Sequence, residues 1–282
     1  MTQIIDELAG ISQNYDALFV DLWGCLHNGV KPFAGAVKAL QGYDGTVVLL
    51  TNSPRPNVGV APQLEQIGVP AEIYDGIVSS GDSAQFAMAS GVVGKKVYHI
   101  GPERDLGFFE GIDVERVPLD QAEGIVCTGL FNDRSETPDD YRLTILTGVN
   151  RGLKMLCANP DIIVDAGDQR IYCAGAIAQA YSVAGGESLY FGKPHPPIYQ
   201  LAYKRLAEIT GHTIEPERIL CIGDGINTDI RGGMAENLDT LFITGGLAAS
   251  EISHDDGPNP QELETFLQAH QLSPTYVMGH LK

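Results

Sequence analysis

Nowhere does the chain hold an apolar run that approaches the roughly 18 residues needed to span a bilayer. Its first residues, Met-Thr-Gln-Ile-Ile-Asp-Glu-Leu, lack the basic and apolar regions of a signal peptide. The expectation is a cytoplasmic protein with no membrane partner. Positive charge is scarce: 18 Lys and Arg stand against 36 Asp and Glu, a formal net charge of −18. That balance argues against a nucleic acid or an anionic membrane as partner. There is no Cys-x-x-Cys pair. Cys25, Cys127, Cys157, Cys173 and Cys221 form an odd set in apolar surroundings, which reads as buried reduced thiols rather than a zinc site. Internal repeats and low-complexity stretches are also lacking. What is there is an ordinary globular composition, 44% hydrophobic and 19% charged, over 282 residues. That length can bury a full core and leaves room for a second domain.

Four short segments carry the chemistry. They are Ala17-Leu-Phe-Val-Asp21-Leu-Trp-Gly, Val47-Val-Leu-Leu-Thr51-Asn-Ser, Tyr190-Phe-Gly-Lys193-Pro and Ile219-Leu-Cys-Ile-Gly-Asp224-Gly-Ile-Asn-Thr-Asp229. Each is read as a buried strand that stops at an acid, a hydroxyl or an ammonium group. In open parallel α/β sheets, ligands sit beyond the carboxyl ends of the strands. Three carboxylates, a lysine and a Thr-Asn pair delivered there predict a divalent-metal and phosphate site. Asp21 could attack phosphorus or simply close a turn. Asp224 and Asp229 are oxygen donors that suit Mg²⁺, with Asp224 favoured as the direct ligand and Asp229 also able to cap the next helix. Thr51 and Asn52 offer a hydroxyl, an amide and backbone N–H groups to phosphate oxygens. Lys193, at the start of a helix, could neutralise both nucleophile and phosphate, although most lysines are only solvated surface groups.

The alternation of elements predicts a doubly wound parallel α/β fold. Strands are expected at 46–50, 75–80, 96–100, 112–117, 124–129, 154–158, 240–244 and 275–278. Helices are expected at 33–40, 60–67, 84–89, 141–148, 174–183 and 261–267, the third capped by Gly81-Asp82-Ser83. The alternation starts afresh near Lys95 and breaks at Gly185-Gly186. This predicts an α/β unit of residues 82–186 inserted into a core formed by 1–81 and 187–282.

On these segments the chain resembles the haloacid-dehalogenase-like hydrolase superfamily. Asp21-Leu-Trp-Gly, Leu50-Thr-Asn-Ser, Gly192-Lys-Pro and Gly223-Asp-Gly-Ile-Asn-Thr-Asp stand as its four motifs. The insertion, with Asn159-Pro160-Asp161 and Gly-Lys-Pro-His-Pro, resembles the class IIA, NagD-type subgroup. The resemblance implies a Rossmann-like core, an inserted α/β cap, Mg²⁺ and action on small phosphate monoesters such as sugar or nucleoside phosphates. It implies Asp21 as nucleophile, and Asp21, the Trp23 carbonyl, Asp224 and Asp229 around the metal. Lys193, Thr51, Asn52 and Ser53 would hold the phosphoryl group, Asn159 and Asp161 the substrate. Relatives with this cap are often dimers. One position departs from the pattern: family phosphatases carry a general acid/base Asp where this chain has Trp23. His27 and Asp161 are the two candidates to replace it, each with a structural alternative. The slow phosphatase that results has a rival, a phosphometabolite-binding or regulatory protein that has lost turnover.

Overall fold

The computed structural model describes residues 2–166, 169–252 and 257–282. In chain order its strands are β1 (Gln3–Ile4), β2 (Ala17–Val20), β3 (Thr46–Thr51), β4 (Gly76–Ser79), β5 (Lys96–Ile100), β6 (Glu115–Arg116) and β7 (Gly124–Cys127). They continue with β8 (Lys154–Cys157), β9 (Ile163–Ala166), β10 (Gln169–Tyr172), β11 (Glu187–Tyr190), β12 (Ile219–Gly223), β13 (Asp239–Ile243) and β14 (Tyr276–Met278). The helices are α1 (Ala34–Gln41), α2 (Asn57–Gln66), α3 (Ser80–Ala89), α4 (Arg142–Asn150), α5 (Ala174–Val183), α6 (Pro196–Thr210), α7 (Arg231–Ala235) and α8 (Pro260–His270).

Two parallel sheets result. The larger has the order β1-β14-β13-β12-β2-β3-β4, the smaller β11-β8-β7-β5-β6. Its central strands β2 and β12 are buried at every position, as apolar runs covered on both faces must be. Alternation sends Leu18, Val20, Leu49 and Ile222 to a core shared with Leu40 of α1 and Leu64 of α2. Ala17, Phe19, Val48 and Cys221 face Ile198, Tyr199 and Leu206 of α6 on the other side. The chain leaves β2 towards β3 and β4, then returns on the opposite flank through β12, β13 and β14. Strand order therefore reverses between β2 and β12. Asp21 and Asp224 follow those two strands, at the switch point where the flanking loops part and leave a crevice.

The smaller sheet has its own two cores. Ile125, Met155 and Cys157 pack on Ile177 and Tyr181 of α5, while Val97, Val126 and Leu156 pack on Ala84, Ala87 and Met88 of α3. The antiparallel hairpin β9–β10 projects between β8 and α5 in sequence. All five cysteines are buried and unpaired. Among the described residues no helix is long and apolar enough to cross a membrane.

Three local expectations need correction. The strand before Lys193 is not part of the larger sheet: β11 pairs with β8 in the smaller one, Tyr190 opposite Cys157. Nor is it the buried strand expected: β11 lies at the edge of that sheet, with Glu187 exposed and Ser188–Tyr190 only partly covered. The cap of α3 is Ser79, not residues 81–83. Its Oγ accepts from the Asp82 N–H at 3.0 Å, and Asp82 Oδ2 accepts from the Ser79 N–H at 3.0 Å, so Asp82 completes the box from inside the helix. The strand expected at 112–117 shrinks to Glu115–Arg116 at a sheet edge. The polar segment 250–260, which reads from its sequence as a loop, falls partly outside the described residues.

Candidate active site

Lys193 organises the site. It is 1% exposed, and its three ammonium protons have three acceptors. Nζ donates to Asp21 Oδ1 at 2.5 Å, to Asp229 Oδ1 at 2.6 Å and to the Leu50 carbonyl at 2.7 Å. The first acceptor follows β2, the second sits in a single π-helical turn (Ile226–Ile230) after β12, and the third belongs to β3. Lys193 itself lies between β11 and α6. Four chain segments therefore meet on one side chain. Burial lowers the affinity of Lys193 for its proton, but Asp21 and Asp229 outweigh it and hold the ammonium above its usual range.

The backbone of Lys193 is fixed by Asn52. Asn52 Oδ1 accepts from the Lys193 N–H at 2.7 Å, and Asn52 Nδ2 donates to the Lys193 carbonyl at 3.1 Å and to Asp161 Oδ1 at 2.8 Å. The Asn52 amide, expected to face phosphate, thus ties the lysine to a residue of the inserted unit. Thr51 Oγ1 accepts from the Ser53 N–H at 3.2 Å, and Ser53 Oγ from the Arg55 N–H at 3.2 Å. Those two hydroxyls shape the loop after β3. Asn159 Oδ1 accepts from the Asp161 N–H at 3.0 Å and so fixes the turn that presents Asp161.

Asp21, Asp224 and Asp229 offer oxygens within 4.8 Å of one another, all buried. Asp229 Oδ2 accepts from the Gly225 N–H at 3.0 Å, so this carboxylate both closes its own loop and meets Lys193. Asp224 Oδ2 accepts from the Leu247 N–H at 2.9 Å. Gly24, at φ +72°, is required where the chain passes Asp224: a Cβ there would lie 2.0 Å from Oδ2. Burial, against the pull of Lys193, pushes the Asp21 carboxyl up to about 7. Asp224 rises well above the carboxylate range for the same reason, with Asp21 and Asp229 adding to it. One ammonium does not offset three crowded carboxylates removed from water.

Trp23 is half-buried and lines the same cavity of ≈ 420 Å³ as Asp21, Thr51, Asn52, Ser53, Asn159, Asp161, Lys193, Asp224 and Asp229. Its ring stands edge-on to His27, centroids 5.2 Å apart. Gly29, at φ +82°, leaves the space, because a Cβ would come within 2.4 Å of the indole. His27 is buried at 1% exposure, its Nδ1 accepts from the Gly29 N–H at 3.0 Å, and burial lowers it to about 4. It is absent from the cavity wall, so of the two candidates for the missing acid only Asp161 borders the cavity.

The structure also brings in groups that sequence reading missed. Arg55 lies 3.5 Å from the buried Asp105, and both line the cavity together with Arg104 and Arg134. Arg55 and Arg134 come from irregular chain, Arg104 and Asp105 from a single 3-10 stretch (Glu103–Phe109), and none has a periodic signature. Only their clustering in space marks them.

A lysine and three acids at the switch point of a parallel sheet, roofed by a second α/β unit, define the class: a capped Rossmann-like centre. Family models described as haloacid dehalogenase-like hydrolase and HAD-hydrolase-like match residues 18–115 and 190–278. A haloacid dehalogenase-like hydrolase from Brucella suis 1330 superposes with TM-score 0.88 at 40% identity, covering 99% of this chain and 100% of that one. An acid sugar phosphatase of Staphylococcus saprophyticus is 25% identical over 244 residues, 85% of this chain and 90% of its own. The 5'-nucleotidase YutF of Bacillus subtilis is 26% identical, over 88% of this chain and 94% of its own. The chain belongs to the haloacid dehalogenase-like hydrolase family, in its class IIA, NagD-type group.

Proposed function

We propose that the protein is a Mg²⁺-dependent phosphatase of small phosphorylated metabolites, sugar or nucleoside phosphates, working through an aspartyl-phosphate on Asp21. The observation that carries this reading is the buried cluster in which Lys193 bridges Asp21 and Asp229 beside Asp224. The names of the relatives support the substrate class. Oxygen-only donors and an excess of buried negative charge fit a hard divalent cation. Mg²⁺ held by Asp21, the Trp23 carbonyl and Asp224, with Asp229 beside them, would draw off phosphate charge as the transfer proceeds.

The chain's own groups do the rest. An Asp21 carboxylate oxygen bonds to phosphorus while the bond to the ester oxygen breaks, and water later releases phosphate from Asp21. Lys193 holds Asp21 in one rotamer and lends positive charge to the transferring group. Thr51, Asn52 and Ser53 shape the wall against the phosphoryl group; Asn159 and Asp161 meet the organic part. The division into a core of 1–81 and 187–282 and a cap of 82–186 belongs to the same reading, with β11 moved to the cap by its pairing with β8. So do a cytoplasmic location, supported by five buried thiols, and a homodimer, supported by the cap type.

The test is inorganic phosphate release, with and without Mg²⁺, across sugar, nucleotide and small-acid phosphates. Mg²⁺-dependent release that vanishes in Asp21→Asn is the expected result. The rival reading, a phosphometabolite-binding protein without turnover, is favoured by Trp23. It gains if no compound releases phosphate above the level of the variant.

A further inference from the structure

Resting on the phosphatase reading, we propose that Asp161 moves the protons that Trp23 cannot. It would give one to the departing alkoxide and take one from the water that attacks the aspartyl-phosphate. Three observations place it for that work. Asp161 borders the cavity that also holds Asp21, and it reaches it from the turn between β8 and β9. Its Oδ1 is fixed by Asn52 Nδ2 at 2.8 Å, and its backbone by Asn159. Its Oδ2 accepts no hydrogen bond among the described residues, which leaves that oxygen free for a substrate or water. The same Asn52 that aims Asp161 also grips both sides of the Lys193 peptide unit. The proton donor and the charge that steadies Asp21 are thus built as one piece.

The charges around Asp161 suit the task. Burial pushes its carboxyl up to about 6, while the Asn52 hydrogen bond and Lys193 pull it down and Asp229 pushes it up. Asp21 lines the same cavity, and the Asp161 carboxylate adds to what raises it. The thiols of Cys157 and Cys173 beside it are held neutral by burial. A carboxyl in that range can be an acid in one step and a base in the next.

The balance is simple. In the first step the P–O bond to the leaving group breaks, its electrons stay on the ester oxygen, and the Asp161 proton goes to that oxygen. In the second, water loses a proton to the Asp161 carboxylate as its oxygen bonds to phosphorus and Asp21 departs. Asp161 ends protonated, ready for the next cycle.

Asp161→Asn separates this role from a purely structural one, because an Asn at this position can still accept from Asn52 Nδ2. Turnover of an alkyl phosphate such as glycerol phosphate should fall by about 10²-fold or more. With p-nitrophenyl phosphate, whose leaving group departs without a proton, the first step should survive. Mixing should then release one equivalent of nitrophenolate in a burst, followed by slow turnover as the phosphoryl-enzyme waits for a base. Asp161→Glu should restore part of the alkyl-phosphate rate. An equal loss on both esters with no burst, a rise in KM at constant kcat, or loss of Mg²⁺ binding by calorimetry would each overturn the assignment. If the wild-type protein turns over neither ester, the phosphatase reading falls, and this role with it. If the wild type is active but Asp161→Asn is indistinguishable from it, only the role falls.

Discussion

Lys193 stands buried among the buried acids Asp21, Asp224 and Asp229, and the four charges do not cancel. Ion clusters of this kind contribute little net stability while whole, since desolvation offsets attraction, but losing one partner strands the rest. Lys193→Met keeps much of the volume and removes the charge. In metal-free protein it should cost about 3–5 kcal/mol and lower the melting temperature accordingly. Mg²⁺ should recover part of that loss, because a divalent cation meets the same carboxylates. Phosphate release should disappear in either condition, since among the described residues Lys193 is the cation paired with Asp21. A melting temperature equal to wild type without metal would show that the carboxylates discharge by taking up protons instead.

Elements, rather than residues, decide how the two sheets are joined. The chain crosses from β4 into α3 at Ser79, where the reciprocal hydrogen bonds with Asp82 satisfy two N–H groups at a buried helix start. Asp82 Oδ1 also accepts from the Asn57 N–H at 2.9 Å, tying this junction to the start of α2. Ser79→Ala should cost about 0.5–2 kcal/mol, read as a lower denaturation midpoint with an unchanged m-value. KM and kcat per folded molecule should not move. How much was legible in the sequence follows from the same logic of elements. β2, β3 and β12 were readable because central parallel strands are apolar throughout, and their ends named Asp21, Thr51 and Asp224. β11 was readable as a strand but not as part of the smaller sheet, because pairing is decided far away in the chain. β9–β10 was missed: Gln169 and Arg170 are exposed and carry no apolar signal. Ser79 was passed over because Asp82 looks like a cap by composition. The arginine and Asp105 part of the cavity wall is assembled from irregular chain (Arg55, Arg134) and one short 3-10 stretch (Arg104, Asp105), where function often sits and periodicity is silent.

At the scale of the whole molecule, acidity and metal are linked. The net charge of −18 draws cations towards the protein and repels a phosphate ester, so on the proposed reading a bound cation would also offset that repulsion. Burial raises Asp21 to about 7, against about 3.9 in the unfolded chain. Between those values the folded, metal-free protein holds a proton that the unfolded chain has released. Stability from this group is therefore full below about pH 4 and is lost as pH rises through about 7. Asp224, raised by the same burial, acts in the same direction. Mg²⁺ requires the deprotonated carboxylates, so protons and metal compete. Raising the pH from about 5 to about 8 should lower the melting temperature contributed by this cluster in the presence of chelator. Over the same span the stabilisation produced by a fixed Mg²⁺ concentration should grow, by mass action on the folded state. Added monovalent salt should weaken that gain, because it screens the field that concentrates the cation. Thermal melts in chelator and in Mg²⁺ across this range decide the matter, with Asp21→Asn as the reference. A Mg²⁺ shift that is flat with pH in the wild type, or equally steep in Asp21→Asn, would place the competing proton elsewhere than on Asp21.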